Sequence, residues 1–147
     1  WHDPVVLETP TRADSIALQY KSRGVSFLTG HAFGGRVMLE SMLETGVNVY
    51  ASVVIAGDQI IGNRTEHLMN LVTTAIESGV HGILCLPDDA RLIREIVPVH
   101  KRVVTYMTRD SIVPGVNYIV GDEVIKGPDP TALYKSALRA IAPHAKA

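Results

Sequence analysis

Short apolar runs rich in β-branched residues alternate along this chain with longer amphipathic segments, and this alternation limits the folds available to it. Six runs predict strands, at 5–7, 25–29, 47–55, 82–86, 102–107 and 116–120. The intervening and final segments predict helices, at 10–23, 36–44, 63–79, 88–96 and 129–141. Strands that are apolar throughout and alternate with helices are typical of mostly parallel sheets covered by helices. We therefore predict an α/β fold.

Two architectures satisfy this pattern: an incomplete or diverged TIM (β/α) barrel, and an open doubly wound sheet of three layers. One connection breaks the rhythm, because only residues 108–115 separate the last two predicted strands. A parallel crossover usually needs roughly a dozen residues or more. We therefore expect these two strands to pair antiparallel, or one of them not to be a strand.

Composition narrows the class of protein. The 147 residues predict a single α/β domain over 1–147, and a net charge of −1 gives no electrostatic reason to expect nucleic acid or an anionic membrane as partner. No apolar run approaches the ~20 residues of a membrane span. Cys85 is the single cysteine, so an internal disulfide is excluded, and we expect a cytoplasmic protein.

The segment Gly30-His31-Ala32-Phe33-Gly34-Gly35 joins a predicted strand to a predicted helix. A glycine pair at such a junction lets backbone amides approach an anion at the helix N-terminus. The alternative is a tight turn with a buried histidine. A similar turn at Gly121-Asp122 carries a carboxylate, which argues against phosphate there.

Other polar residues are weaker candidates. The six histidines lack the spacing of a metal site, so we expect no metal. Cys85 lies inside an apolar strand and is predicted to be a packed side chain, not a nucleophile. The pair Asp88-Asp89 is predicted to cap the helix that follows.

Taken in order, several motifs resemble those of the bacterial-type orotidine 5′-phosphate decarboxylase family. That family has D-x-K-x-H-D, then I-P-x-T, then V-H-A-x-G-G, and this chain has Trp1-His2-Asp3, Pro10-Thr11 and the 30–35 turn. Further matches follow in the same order at 77–85, 104–109, 115–121 and Asp129-Pro130. The resemblance spans most of the chain, although each motif alone is only moderately specific.

The resemblance implies a (β/α)₈ barrel enzyme that dimerises, uses no cofactor and decarboxylates orotidylate, which makes it a lyase of pyrimidine biosynthesis. It implies a catalytic role for Asp3. It implies substrate-binding roles for six further residues: Thr11, His31, Gly34, Gly35, Arg109 and Gly121. The implied partners are a small phosphorylated ligand, a nucleotide or sugar phosphate, and further copies of the chain in a homo-oligomer.

Some positions depart from the family. The family's lysine would fall one residue before Trp1, Leu86 replaces a serine, and Asp122 replaces an arginine. We therefore expect a decarboxylase-like protein with impaired activity. The alternative is a non-catalytic α/β module that binds a small phosphorylated or sugar ligand, or that acts as an assembly partner. A third hypothesis, a phosphate loop of the methylglyoxal synthase kind at 57–62, rests on one hexapeptide.

Overall fold

The structure is a computed structural model, and it describes residues 2–55, 62–106, 113–119 and 129–141. The chain divides into two compact units, 1–84 and 85–147, which are described in turn. The single domain over 1–147 stays a prediction.

The first unit confirms the predicted alternation of strands and helices. Its strands are β1 (His2–Val6), β2 (Phe27–His31), β3 (Asn48–Ser52) and β4 (Gly82–Cys85), the last of which reaches the unit boundary. Its helices are α1 (Pro10–Ser22), α2 (Gly35–Glu44) and α3 (Arg64–Glu77), and a 3₁₀ turn (Ala32–Gly34) precedes α2.

The strands of this unit lie in the order of the sequence, β1-β2-β3-β4, and each pairs parallel with the next. Helix α1 packs on α2, and α2 packs on α3, as expected where successive crossovers place their helices on one face of the sheet. A doubly wound sheet reverses its strand order so that helices cover both faces. The unit is therefore wound in one direction, as in a barrel, and the doubly wound alternative is wrong for it.

The two faces of this sheet differ in chemistry. Gly30 lies on the helix-facing side, where a Cβ would come 2.9 Å from Leu39 Cδ2, so glycine allows α2 to approach closely. Because side chains alternate along a strand, Thr29, Tyr50 and Ser52 share the opposite face, and each is at most 1% exposed. The face away from the helices thus carries buried polar groups.

Local signals account for the ends of α3. Asn63 Oδ1 accepts hydrogen bonds from the amides of Thr65 at 2.9 Å and Glu66 at 3.4 Å, which confirms the predicted cap. At the other end Gly79 has φ +81°, a backbone conformation that favours glycine. Both ends could be predicted because their partners lie within a few residues.

The second unit contains a 3₁₀ turn (Pro87–Asp89), α4 (Ala90–Ile96), β5 (Arg102–Tyr106), β6 (Asn117–Ile119) and α5 (Pro130–Ile141). The expectation for β5 and β6 was wrong, because both form and they pair parallel, with Thr105 opposite Tyr118. Residues 107–116 span up to ~3.3 Å each when extended. A segment of that length can therefore reach back along a strand of a few residues.

Polar side chains fix the turns of this unit. The Arg94 guanidinium donates to the carbonyls of Val97, Pro98 and Lys101, which follow α4. Asp89 differs from its prediction, since it makes no capping bond to α4 and is only 6% exposed.

Among the described residues, no helix has both the length and the apolar character needed to cross a membrane.

Candidate functional site

The turn after β2 is organised around the imidazole of His31. His31 Nδ1 accepts a hydrogen bond from the Phe33 amide at 3.1 Å, and Nε2 lies 2.9 Å from the carbonyl oxygen of Val54. A carbonyl oxygen can only accept, so Nε2 carries the hydrogen and Nδ1 is bare. The half-buried ring therefore ties β2 to the segment that follows β3, and it acts as a positioning group for the turn.

The two glycines of the turn have different reasons to be glycine. A Cβ at Gly34 would lie 2.3 Å from Met38 Sδ and 3.3 Å from Leu7 Cδ1, so close packing excludes a side chain there. Gly35 has φ +81° with open space around it, so its requirement is conformational. Together they let the chain turn from β2 directly into α2.

The start of α2 offers backbone donors. Its N-cap is Gly34, which supplies no side-chain hydrogen bond, and the first turn contains no acidic residue. The first amides of a helix lack partners within the helix and attract anions. Arg36 in this turn is held by Glu40 at 2.6 Å, which leaves the backbone as the source of any anion contact.

An acidic residue lies beside this turn at the end of β1. The Glu8 amide donates to Met38 Sδ at 3.5 Å, and the Glu8 carboxylate pairs with Arg12 at 3.4 Å. Asp3, in contrast, is the second residue of β1 and not its end, and its side chain lies outside the described residues. Glu8 was missed from the sequence, although an acid directly between a strand and Pro10 was a usable signal.

Thr11 lies in the first turn of α1, exposed, with its carbonyl accepting from the Ser15 hydroxyl. The adjacent Pro10 carbonyl accepts from the Ser41 hydroxyl, so the start of α1 is joined to the C-terminal half of α2. The structure thus brings His31, Gly34 and Gly35 into one turn and places Thr11 on the neighbouring helix. Arg109, Gly121 and most of the 57–62 loop lie outside the described residues.

Three apolar side chains are exposed at this edge: Leu7 at 51%, Phe33 at 66% and Val37 at 65%. We call them the rim patch. The Phe33 ring lies 6.3 Å from the ring of His67 on α3, with the ring planes tilted by 60°. Exposed apolar side chains on segments that also carry the ion pairs Glu8–Arg12 and Arg36–Glu40 are typical of a surface that contacts another molecule.

Other chemistry is poorly supported in the part of the chain that the structure describes. No group of three His, Cys, Asp or Glu side chains there could hold a metal ion. Burial raises the pKa of the Cys85 thiol to about 12, with a further contribution from the Asp89 carboxylate. A thiol with that pKa is not a nucleophile near neutral pH, so the prediction for Cys85 is confirmed.

Comparison with known proteins identifies solved structures with a similar fold. No protein-family model matches the chain. An uncharacterized conserved protein from Geobacillus kaustophilus matches 94% of this chain and 74% of its own with a TM-score of 0.76 at 21% identity. An orotidine 5′-phosphate decarboxylase from Lactobacillus acidophilus matches 92% and 71% with a TM-score of 0.71 at 20% identity.

At these identities the similarity establishes the fold alone. The chain has an α/β fold of parallel strands and alternating helices that resembles the decarboxylase fold.

Proposed function

We propose that this chain is an orotidine 5′-phosphate decarboxylase-like protein, a carbon–carbon lyase of pyrimidine nucleotide metabolism in the cytoplasm. Its site lies at the carboxyl ends of β1 and β2 and takes a small phosphorylated ligand. The observation that carries the proposal is the structural match to a decarboxylase over 92% of the chain. The Gly34-Gly35 turn supports it, since this turn presents uncapped helix amides at the edge where parallel α/β folds bind ligands.

The proposed chemistry is electrostatic. An anionic group of the ligand accepts hydrogen bonds from first-turn amides of α2 other than that of Gly35, which donates to the Ala32 carbonyl. Gly35 allows the close approach. We propose that the Glu8 carboxylate, which pairs with Arg12, faces the carboxylate of the substrate. Carboxylates close to a substrate carboxylate favour loss of carbon dioxide by disfavouring the charged ground state. The resemblance further implies a catalytic role for Asp3 and substrate-binding roles for Thr11, Arg109 and Gly121.

We expect binding to be better preserved than turnover. Leu86 replaces a serine of the family and Asp122 replaces an arginine, so two polar contacts to the nucleotide are lost. A carboxylate in place of a cation beside a phosphate removes an attraction and adds a repulsion. Slow decarboxylation with measurable nucleotide binding is the expected combination.

Isothermal titration calorimetry with uridine monophosphate tests the binding site. The wild-type chain should bind at micromolar concentrations, and the G35A variant should bind about tenfold more weakly because it displaces the α2 amides. G79A is the matched control, since Gly79 has the same φ of +81° and equally open surroundings but lies at the end of α3. It also places a side chain at a positive-φ position, and it should leave the affinity unchanged.

No detectable binding at millimolar uridine monophosphate would overturn the proposal. An equal loss of affinity in both variants would move the site away from this turn. Release of carbon dioxide from orotidylate, measured beside the titration, then separates a slow enzyme from a binding module.

The assembly alternative is favoured by one observation, the rim patch. Leu7, Phe33 and Val37 expose apolar surface to water, and exposed apolar patches of this kind are commonly covered in an assembly. We propose that a second copy of the chain covers this patch in a homo-oligomer. The nearby ion pairs carry both signs of charge, so two copies of this surface can face each other without net repulsion.

A further inference from the structure

We infer that His31 is a pH-sensitive clasp that holds the turn between β2 and α2 closed only while its imidazole is neutral. The inference concerns the conformation of the turn and does not depend on which ligand the site takes. It follows from the two partners of the ring, which are both main-chain groups with fixed roles.

The first partner determines whether Nδ1 carries a hydrogen. The Phe33 amide can only donate, and it lies 3.1 Å from Nδ1, so this nitrogen must present its lone pair. The second partner sets Nε2, because the Val54 carbonyl can only accept at 2.9 Å. The neutral tautomer with hydrogen on Nε2 is the one form that satisfies both.

Protonation puts a second hydrogen on Nδ1, directly opposite the Phe33 N–H. Two donors then face each other, and the bond to Phe33 must break, while the bond to Val54 remains possible. The 3₁₀ turn Ala32–Gly34 then loses the hydrogen bond that caps its start. It keeps the bond from the Gly35 amide to the Ala32 carbonyl. Acidification therefore loosens the entry to α2 without releasing β2 from the segment after β3.

Several charged or titratable groups lie on the elements packed around this turn. Helix α3 places His67 against the Phe33 ring, and α2 places Arg36 in its pair with Glu40. The segment after β1 places Glu8 in its pair with Arg12, and β3 contributes the buried Tyr50. Of these, His67 is a second histidine, so an experiment must separate its effect from that of His31.

Two NMR measurements test the clasp. Imidazole ¹⁵N spectra at pH 8 should show the Nε2–H tautomer for His31. Amide exchange at Phe33, corrected for its intrinsic pH dependence, should lose about tenfold in protection between pH 8 and pH 5, which corresponds to the loss of one hydrogen bond.

H31N supplies a variant that keeps the turn but cannot ionise. An asparagine oxygen can accept from the amide two residues on, as Asn63 already does for Thr65 in this chain. Protection at Phe33 should then be independent of pH, while the control H67Q should keep the wild-type pH dependence.

The inference is overturned if His31 is the Nδ1–H tautomer, or if wild-type protection at Phe33 does not change with pH. A pH dependence that disappears in H67Q and persists in H31N would also overturn it, because His67 would then be the group responsible. The wild-type measurements decide the matter even if a variant fails to fold.

Discussion

At the scale of single residues, burial decides which polar groups are reactive. Cys85 is fully buried, its thiol donates to the Val104 carbonyl at 3.6 Å, and the Thr105 hydroxyl donates to the Cys85 carbonyl at 2.9 Å. Burial, with a further contribution from the Asp89 carboxylate, explains why the thiol holds its proton so strongly. The sequence predicted this, since a lone cysteine inside a β-branched run is normally a packed side chain.

Thiol labelling and alkaline unfolding provide the corresponding prediction. A thiol reagent at pH 8 should not modify native Cys85 and should modify it fully in denaturant. Because the pKa is about 12 in the folded protein and 9.0 ordinarily, the stabilisation is complete below pH 9 and is lost as pH rises towards 12. At pH 10 the loss should be about 1 kcal/mol relative to neutral pH.

C85A supplies the reference for that measurement. Its stability should lack this part of the pH dependence, while the titration of tyrosines and lysines affects both proteins alike. Rapid labelling of the native wild-type protein, or identical alkaline profiles for the two proteins, would contradict the prediction.

The role of His31 could not be predicted in the same way. The resemblance implied a substrate-binding role for His31, and the alternative was a tight turn with a buried histidine. Its actual partner, the Val54 carbonyl, lies 23 residues further along the chain, and no local pattern indicates that bond. Asp89 is a similar case, since its burial depends on packing that a capping pattern does not contain.

At the scale of secondary-structure elements, the caps show how far local sequence reaches. Asn63 at the start of α3 makes two side-chain bonds to helix amides, whereas Thr9 at the start of α1 makes none, despite belonging to a favoured capping type. Existence and order of the elements were predictable from apolar patterns. The parallel pairing of β5 and β6 could not be predicted, because the length of the connection between two strands does not by itself specify their relative direction.

Urea denaturation of two variants tests this difference. N63A should lower the free energy of unfolding by about 1 kcal/mol, the usual value of a capping side chain. T9A should change it by much less, because its hydroxyl caps nothing. Equal losses in the two variants would show that the side-chain hydrogen bonds of Asn63 add no measurable stability.

At the scale of the whole molecule, assembly is the property that the rim patch makes testable. Sedimentation velocity at micromolar concentration should show an oligomer for the wild-type chain. V37E should dissociate it by placing a charge within the patch, because burying an unpaired carboxylate is costly. L18E is the matched control, since Leu18 is also exposed, at 53%, but lies two turns into α1.

A wild-type chain that sediments as a monomer at these concentrations would contradict the assembly proposal. Dissociation by both substitutions would instead place the interface along α1. Either result leaves the nucleotide-binding test unaffected, since that test concerns backbone groups at the start of α2.

The sequential strand order of the first unit also bears on how the chain reaches its structure. In this unit β2, β3 and β4 each pair with the strand that precedes them in the sequence, so no pairing depends on a strand synthesised much later. Contacts between neighbours in sequence cost less loop entropy, and topologies rich in them fold faster. During synthesis each new strand can add to the edge left by the last, so this unit can grow from its N-terminus one strand and one helix at a time.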